Sequence, residues 1–127
     1  MTQLRIGLAD IVGVFGFRGL DVYRCALEAL PLLYGLATRA DPETKRQLRR
    51  AALSINLNIA EGTGRRDDDQ RQFYRVARGS ALESAAVLDA IRVLGLATAD
   101  EIAPAEELLV RVVSMLTKMA GSPVNGV

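Results

Sequence analysis

Seven arginines, Arg49, Arg50, Arg65, Arg66, Arg71, Arg75 and Arg78, fall within residues 49–78 of a 127-residue chain whose formal net charge is only +1. A planar guanidinium can contact two phosphate oxygens at once, so this run is a candidate phosphate-binding surface. The positive charge is local. Residues 43–66 carry six basic and two acidic groups, whereas residues 93–127 carry two basic and four acidic groups. A local basic surface attracts a polyanion even on a balanced chain. Against this, Glu61, Asp67, Asp68, Asp69 and Glu83 lie among the same arginines. That mixture also suits a solvated face of weak surface ion pairs. No aromatic cluster accompanies the arginines, so stacking on unpaired bases is not expected.

The residue types on which most protein chemistry depends are missing. The chain has no histidine and one cysteine, Cys25. A cysteine nucleophile therefore has no imidazole to activate it, zinc has no ligand set, and the Glu-x-x-His motif of di-iron bundles is absent. Gly62-Thr63-Gly64-Arg65 is too short for a phosphate-cradling loop and lacks its Lys-Ser/Thr ending. Asp67, Asp68 and Asp69 are explained by a helix start, where carboxylates complement the dipole. Cys25 reads as a small buried hydrophobe, and a lone cysteine fits a reducing cytoplasm. No catalytic residue, metal or cofactor is expected.

Length and composition suit one domain of helices packed on helices: half the residues are hydrophobic and only 5% are aromatic. Residues 1–16 read as an irregular arm, about 17–120 as the bundle and 121–127 as a loose tail. The apolar stretch Ile11 to Phe17 is broken by Gly13 and Gly16 and is too short to span a membrane. No period-two alternation suggests a sheet. Four helices are predicted, in an antiparallel up-down bundle with short connections.

The first runs from near Leu20 to Thr38 on a stripe of Leu20, Tyr23, Leu27 and Leu30, with Pro31 expected to kink or split it. The second is opened by Asp41-Pro42 and closed at Glu61 by Gly62. Its core stripe is Leu48, Ala52, Ile55 and Ile59. Leu53 and Leu57 fall on the opposite face with Arg46 and Arg50, and apolar groups on both faces require two partners, the second being another subunit. The third runs from Asp68 to Leu94 and is ended by Gly95, with Asp67 and Gln70 as a capping box and Phe73, Ala77, Ser80, Ser84, Leu88 and Ile91 facing inward. Gly79 lies in a stretch of small residues that allows close helix approach. The fourth starts at Pro104 and ends near Ala120, before Gly121, on Ala105, Leu108, Val112, Met115 and Met119, widened by Leu109, Val113 and Leu116.

Two segments carry a resemblance. The run Arg49-Arg50-Ala51-Ala52-Leu53-Ser54-Ile55-Asn56-Leu57-Asn58-Ile59-Ala60-Glu61-Gly62, followed by Ala77-Arg78-Gly79-Ser80, resembles a bacterial four-helix-bundle family first noted as open reading frames in intervening sequences of 23S ribosomal RNA genes. The accessory protein of diversity-generating retroelements is similar to it. The resemblance spans roughly residues 17–120. It implies a four-helix protomer in a ring-like homopentamer and, for the retroelement relatives, binding to RNA or DNA and to a reverse transcriptase. Two departures stand out: Asn56 occupies a position where the family often has proline, and the retroelement branch is strongly basic whereas this chain is balanced.

The resemblance also marks Asn58, Glu61, Arg78, Ser80 and Glu83 as a polar motif. Asn58 and Glu61 are three apart on one helix, Ser80 and Glu83 on the next, so these groups can interlock as a structural network across two helices. Nothing in the spacing makes Glu61 and Glu83 a catalytic pair. Two functional readings follow. In the first, a non-catalytic homo-oligomer binds nucleic acid or a nucleoprotein through its arginines, each modest patch being repeated around the ring. In the second, the assembly is a protein-interaction module that ignores nucleic acid.

Overall fold

The computed structural model describes residue 7 and residues 13–121. The expected loose tail and most of the expected arm lie outside the described residues. Among the described residues there are four long helices and no strand: α1 (Asp21–Ala37), α2 (Pro42–Thr63), α3 (Asp67–Val93) and α4 (Ala99–Ala120). A 3-10 turn, Gly16–Gly19, precedes them and touches α1 and α2. Connections of three to five residues force antiparallel neighbours. Each helix packs on two others, α1 on α2 and α4, and α3 on α2 and α4, while the diagonal pairs contribute almost nothing. This is an all-α up-down four-helix bundle. No described helix is long and apolar enough to cross a membrane.

The entry to α2 follows the sequence signal. Asp41 accepts from the Thr44 backbone N–H at 3.1 Å, and Pro42 occupies the first turn. The Thr44 side chain, and then its backbone N–H, hold the Asp41 carboxyl below its usual range. The C-terminus of α3 is equally legible. Gly95 takes φ 74°, and the N–H groups of Leu96 and Gly95 reach the carbonyls of Ile91 and Arg92, both at 3.0 Å. These paired bonds satisfy carbonyls that the helix end leaves free.

Four local expectations are corrected. Gly62 does not end α2; the helix continues to Thr63, and Gly62 is buried within it. A Cβ there would stand 2.8 Å from the Phe73 Cβ and 3.0 Å from the Tyr74 ring. This glycine is therefore required for the approach of α3, not for a turn. Asp67 does not cap α3. A cap needs extended backbone, which Arg66 supplies, whereas Asp67 has φ 52°. Gln70 donates instead to the Arg65 carbonyl at 3.0 Å. The fourth helix begins at Ala99, ahead of Pro104. Thr98 accepts from the Glu101 N–H at 3.2 Å, and Glu101 accepts from the Thr98 N–H at 2.9 Å, a reciprocal cap that overrides the proline signal. Finally, α1 runs unbroken through Pro31. Leu27, whose carbonyl loses its donor to the proline, is exposed, so water can satisfy that group.

The core lies where the stripes of α2 and α4 predict, with Leu48, Ala52, Ile55 and Ile59 facing Leu108, Leu109, Val112 and Leu116 in one buried cluster. Met115, Met119 and Val113 are only partly buried. On α1 the buried face is Val22, Cys25, Ala26, Ala29, Leu33 and Leu36; Leu20, Tyr23 and Leu30 flank it and Leu27 faces solvent. The large residues mislead there because alanines and the cysteine form the actual contact. On α3, Tyr74 and Ala81 are buried where Phe73 and Ser80 were expected, and Gly79 is exposed, with open space around its Cα. Cys25 is sealed against α4, its Sγ 3.6 Å from the Leu108 carbonyl, and burial raises its pKa.

Two outcomes follow from this packing. Gly62→Ala should lower unfolding stability by about 1–3 kcal/mol, read as a fall in denaturant midpoint, because the added carbon meets the Phe73 stem rather than a mobile side-chain end. Glu101 bonds to Arg39 as well as capping α4. The Arg39 hydrogen bond, then the Thr98 backbone, hold its carboxyl down at about 2 from an ordinary 4.5. The stabilising contribution of a depressed carboxyl is complete above its ordinary pKa and is lost as pH falls through the folded value. The melting temperature of the native chain should therefore fall more steeply from pH 4.5 to pH 2 than that of Glu101→Gln.

Candidate nucleic-acid interface

The seven arginines all lie on the α2–α3 hairpin, but not as one patch. Arg49 and Arg50 sit in the N-terminal half of α2, Arg65 and Arg66 in the turn, and Arg71, Arg75 and Arg78 on α3. Arg49 and Arg65 are separated by most of the length of α2, about 24 Å at 1.5 Å per helical residue. The hairpin thus has two basic ends.

At the turn end the neighbouring acids are largely used. Arg65 pairs with Glu61 at 2.7 Å and with Asp69 at 3.5 Å, and its guanidinium lies 5.2 Å from the Phe73 ring centroid. The Glu61 bond raises the Arg65 pKa further. Arg71 pairs with Asp68, whose carboxyl is held down by that bond. Among the described residues Arg75 has no ion pair; it donates to Gln72 at 3.4 Å and to the Ala120 carbonyl at 3.3 Å, bracing the end of α4. Arg66 and Arg78 have no side-chain hydrogen bond or ion pair among the described residues. The intervening acids therefore neutralise Arg65 and Arg71 and leave the others uncompensated.

At the other end, Lys45 and Arg46 join Arg49 and Arg50 around a cleft of about 370 Å³ that also includes Tyr34 of α1 and Leu53. Lys45 with Arg49, and Arg46 with Arg50, are four apart and so share faces of α2. Arg46 pairs with Glu43; among the described residues the other three cations have no acidic partner. The Arg49 guanidinium lies 5.3 Å from the Tyr34 ring centroid, and its Nε is buried with no hydrogen-bond acceptor. The sequence placed Arg46 on the Arg50 face of the second helix but counted neither it nor Lys45 among the candidate phosphate contacts, although their spacing to Arg49 and Arg50 carried the signal. Tyr34 had no local signal, because only the packing of α1 on α2 brings it there.

The five-residue polar motif divides. Ser54, which the sequence did not flag, is its hub. Asn58 Nδ2 donates to the Ser54 carbonyl at 2.8 Å and to its hydroxyl at 2.9 Å, and the Ser80 hydroxyl reaches the Ser54 hydroxyl at 2.8 Å. Asn58 and Ser80 are thereby joined across α2 and α3. Glu61 belongs to Arg65, Glu83 accepts from Gln47 at 3.2 Å, and Arg78 stands apart. Glu61 and Glu83 point outward from their helices, so they cannot join the half-buried hydroxyl cluster. Among the described residues no group of three or more Cys, Asp or Glu side chains is arranged to hold a metal ion.

Leu53 and Leu57 are 39% and 59% exposed, on the outward stripe of α2 that also carries exposed Arg46 and Arg50. Val76 of α3 is exposed as well. Asn56 is 4% exposed, and neither its Oδ1 nor its Nδ2 has a hydrogen-bond partner.

The sequence model of the 23S rRNA-intervening sequence protein family matches residues 18–118, from just before α1 to near the end of α4. None of the curated proteins compared with the chain matches it. The chain belongs to the 23S rRNA-intervening sequence protein family.

Proposed function

We propose that this member of the 23S rRNA-intervening sequence protein family is a non-catalytic, homo-oligomeric binding protein that engages nucleic acid, or a nucleoprotein, through the arginines of its α2–α3 hairpin. The observation that carries this reading is the uncompensated charge: among the described residues, Arg49, Arg50, Arg66, Arg75 and Arg78 have no ion pair. Charge left free on one hairpin is available to phosphates, and such contacts make affinity salt-dependent through counterion release. The exposed Leu57, with Leu53 at the rim of the basic cleft, supports assembly by leaving apolar surface for a neighbouring subunit to cover. A homopentameric ring would repeat both basic ends around its axis and raise avidity without new contacts.

A second reading, a protein-interaction module with no affinity for nucleic acid, draws on the near-neutral net charge and on the same exposed leucines. Binding of structured RNA and duplex DNA across a salt series separates the two. Under the first reading, affinity falls steeply with salt. Arg49→Gln/Arg50→Gln then weakens binding by about tenfold or more and makes the slope of log affinity against log salt shallower by about two. Absence of binding at low salt by an intact oligomer would leave the protein-interaction reading. Leu57→Glu places a charge in the proposed interface and should reduce the mass measured by light scattering to that of the protomer. An unchanged mass would move the interface elsewhere.

A further inference from the structure

We propose that the cleft between α1 and the N-terminal half of α2 is a phosphate seat, in which Arg49, held against Tyr34, is the central donor and Lys45, Arg46 and Arg50 supply surrounding charge. This deepens the nucleic-acid reading by assigning the contact to one end of the hairpin and to the phosphate group.

Three observations converge on it. First, four cations within six consecutive residues line one cleft, and among the described residues only Arg46 has a carboxylate partner. Like charges four apart on a helix repel each other, so without a bound anion this cluster works against the fold. Second, Arg49 is positioned. Its guanidinium sits 5.3 Å from the Tyr34 ring centroid, an arrangement that favours a planar cation and restricts its rotamers. Third, the donors of Arg49 are unspent. Its Nε is buried without an acceptor, and among the described residues no other hydrogen bond or ion pair engages the side chain. A guanidinium has five N–H donors and no acceptor. A half-buried one with no protein acceptor is complemented by a group rich in acceptor oxygens.

Phosphate fits better than carboxylate. It presents more acceptor oxygens to the guanidinium fork, while lysine engages it as a point charge. Several phosphates along a strand can also engage several cations, whereas a single carboxylate neutralises one. The arginines of the turn end are less suited, because Arg65 and Arg71 already hold acids.

The chain contains no tryptophan and three tyrosines, so Tyr23→Phe/Tyr74→Phe leaves Tyr34 as the sole emitter. The full chain carrying these changes is titrated with tripolyphosphate and with poly-glutamate while Tyr34 emission is followed. A fluorescein-labelled oligonucleotide is titrated separately by anisotropy. Tripolyphosphate should change Tyr34 emission saturably. In the native background Arg49→Leu should weaken oligonucleotide binding by about tenfold or more. Tyr34→Leu should weaken it as well, whereas Tyr34→Phe, which keeps the ring, should retain it. Arg92→Gln, which removes a cation paired with Asp89, is the charge control, and a thermal melt of each variant verifies folding. Native-like oligonucleotide binding by folded Arg49→Leu would overturn the seat. If Arg66→Gln/Arg78→Gln then abolished binding, the broader nucleic-acid reading would stand without it. A tripolyphosphate response with no oligonucleotide binding would keep the seat and remove the nucleic-acid reading. Poly-glutamate binding as tightly as tripolyphosphate would overturn the assignment to phosphate and point to an acidic protein.

Discussion

The close approach of α2 and α3 at Gly62 is the constraint on which the hairpin depends. No other residue leaves room for the Phe73 stem and the Tyr74 ring at that point. Once the helices meet there, the Thr63 hydroxyl lies 3.1 Å from the Tyr74 hydroxyl and the Ser54 hydroxyl reaches Ser80 further along. These bonds place small polar groups, rather than large apolar ones, along the outer edge of the α2–α3 seam. The apolar contact is left to Ile55, Ile59, Ala77 and Ala81 on the inner edge. The short turn can then carry two arginines without a cap of the usual kind, because Gln70 closes it through the Arg65 carbonyl.

Electrostatics divide the molecule along the same hairpin. Where carboxylates and arginines alternate in sequence, at the turn, they pair. Where cations repeat at four-residue spacing, at the start of α2, there is little to pair with. A net charge of +1 therefore describes neither end. Two arginines also brace the fold: Arg39 ties the α1–α2 connection to Glu101, and Arg75 ties α3 to the last carbonyl of α4. The two ends of α4 are thus held by one arginine from the α1–α2 connection and one from α3.

The sequence exposes what is local and periodic. Asp41-Pro42, Gly95 and the α2 stripe each state a backbone or packing requirement within a few residues, and each appears as read. It hides what depends on a partner helix. Gly62 resembles a terminator until the position of Phe73 is known. Thr98 and Glu101 spell a capping box, but Pro104 is the louder signal nearby. On α1, alanines carry the buried face, and a reading weighted toward large residues rotates the stripe. The arginine cluster was visible as composition; its division into paired and unpaired ends was not, because pairing is a matter of rotamer and distance. Tyr34 lies on another helix, so no spacing rule within α2 could have associated it with Arg49.

Cys25 offers a use unrelated to binding. It is the single thiol of the chain and is sealed beneath α4, with its Sγ against the Leu108 carbonyl. A thiol whose pKa is raised by burial is a poor nucleophile while the bundle is closed. Its alkylation therefore waits on transient separation of α1 from α4, and the rate of modification becomes a clock for the breathing of that seam. The chain carries its own covalent reporter of native-state opening.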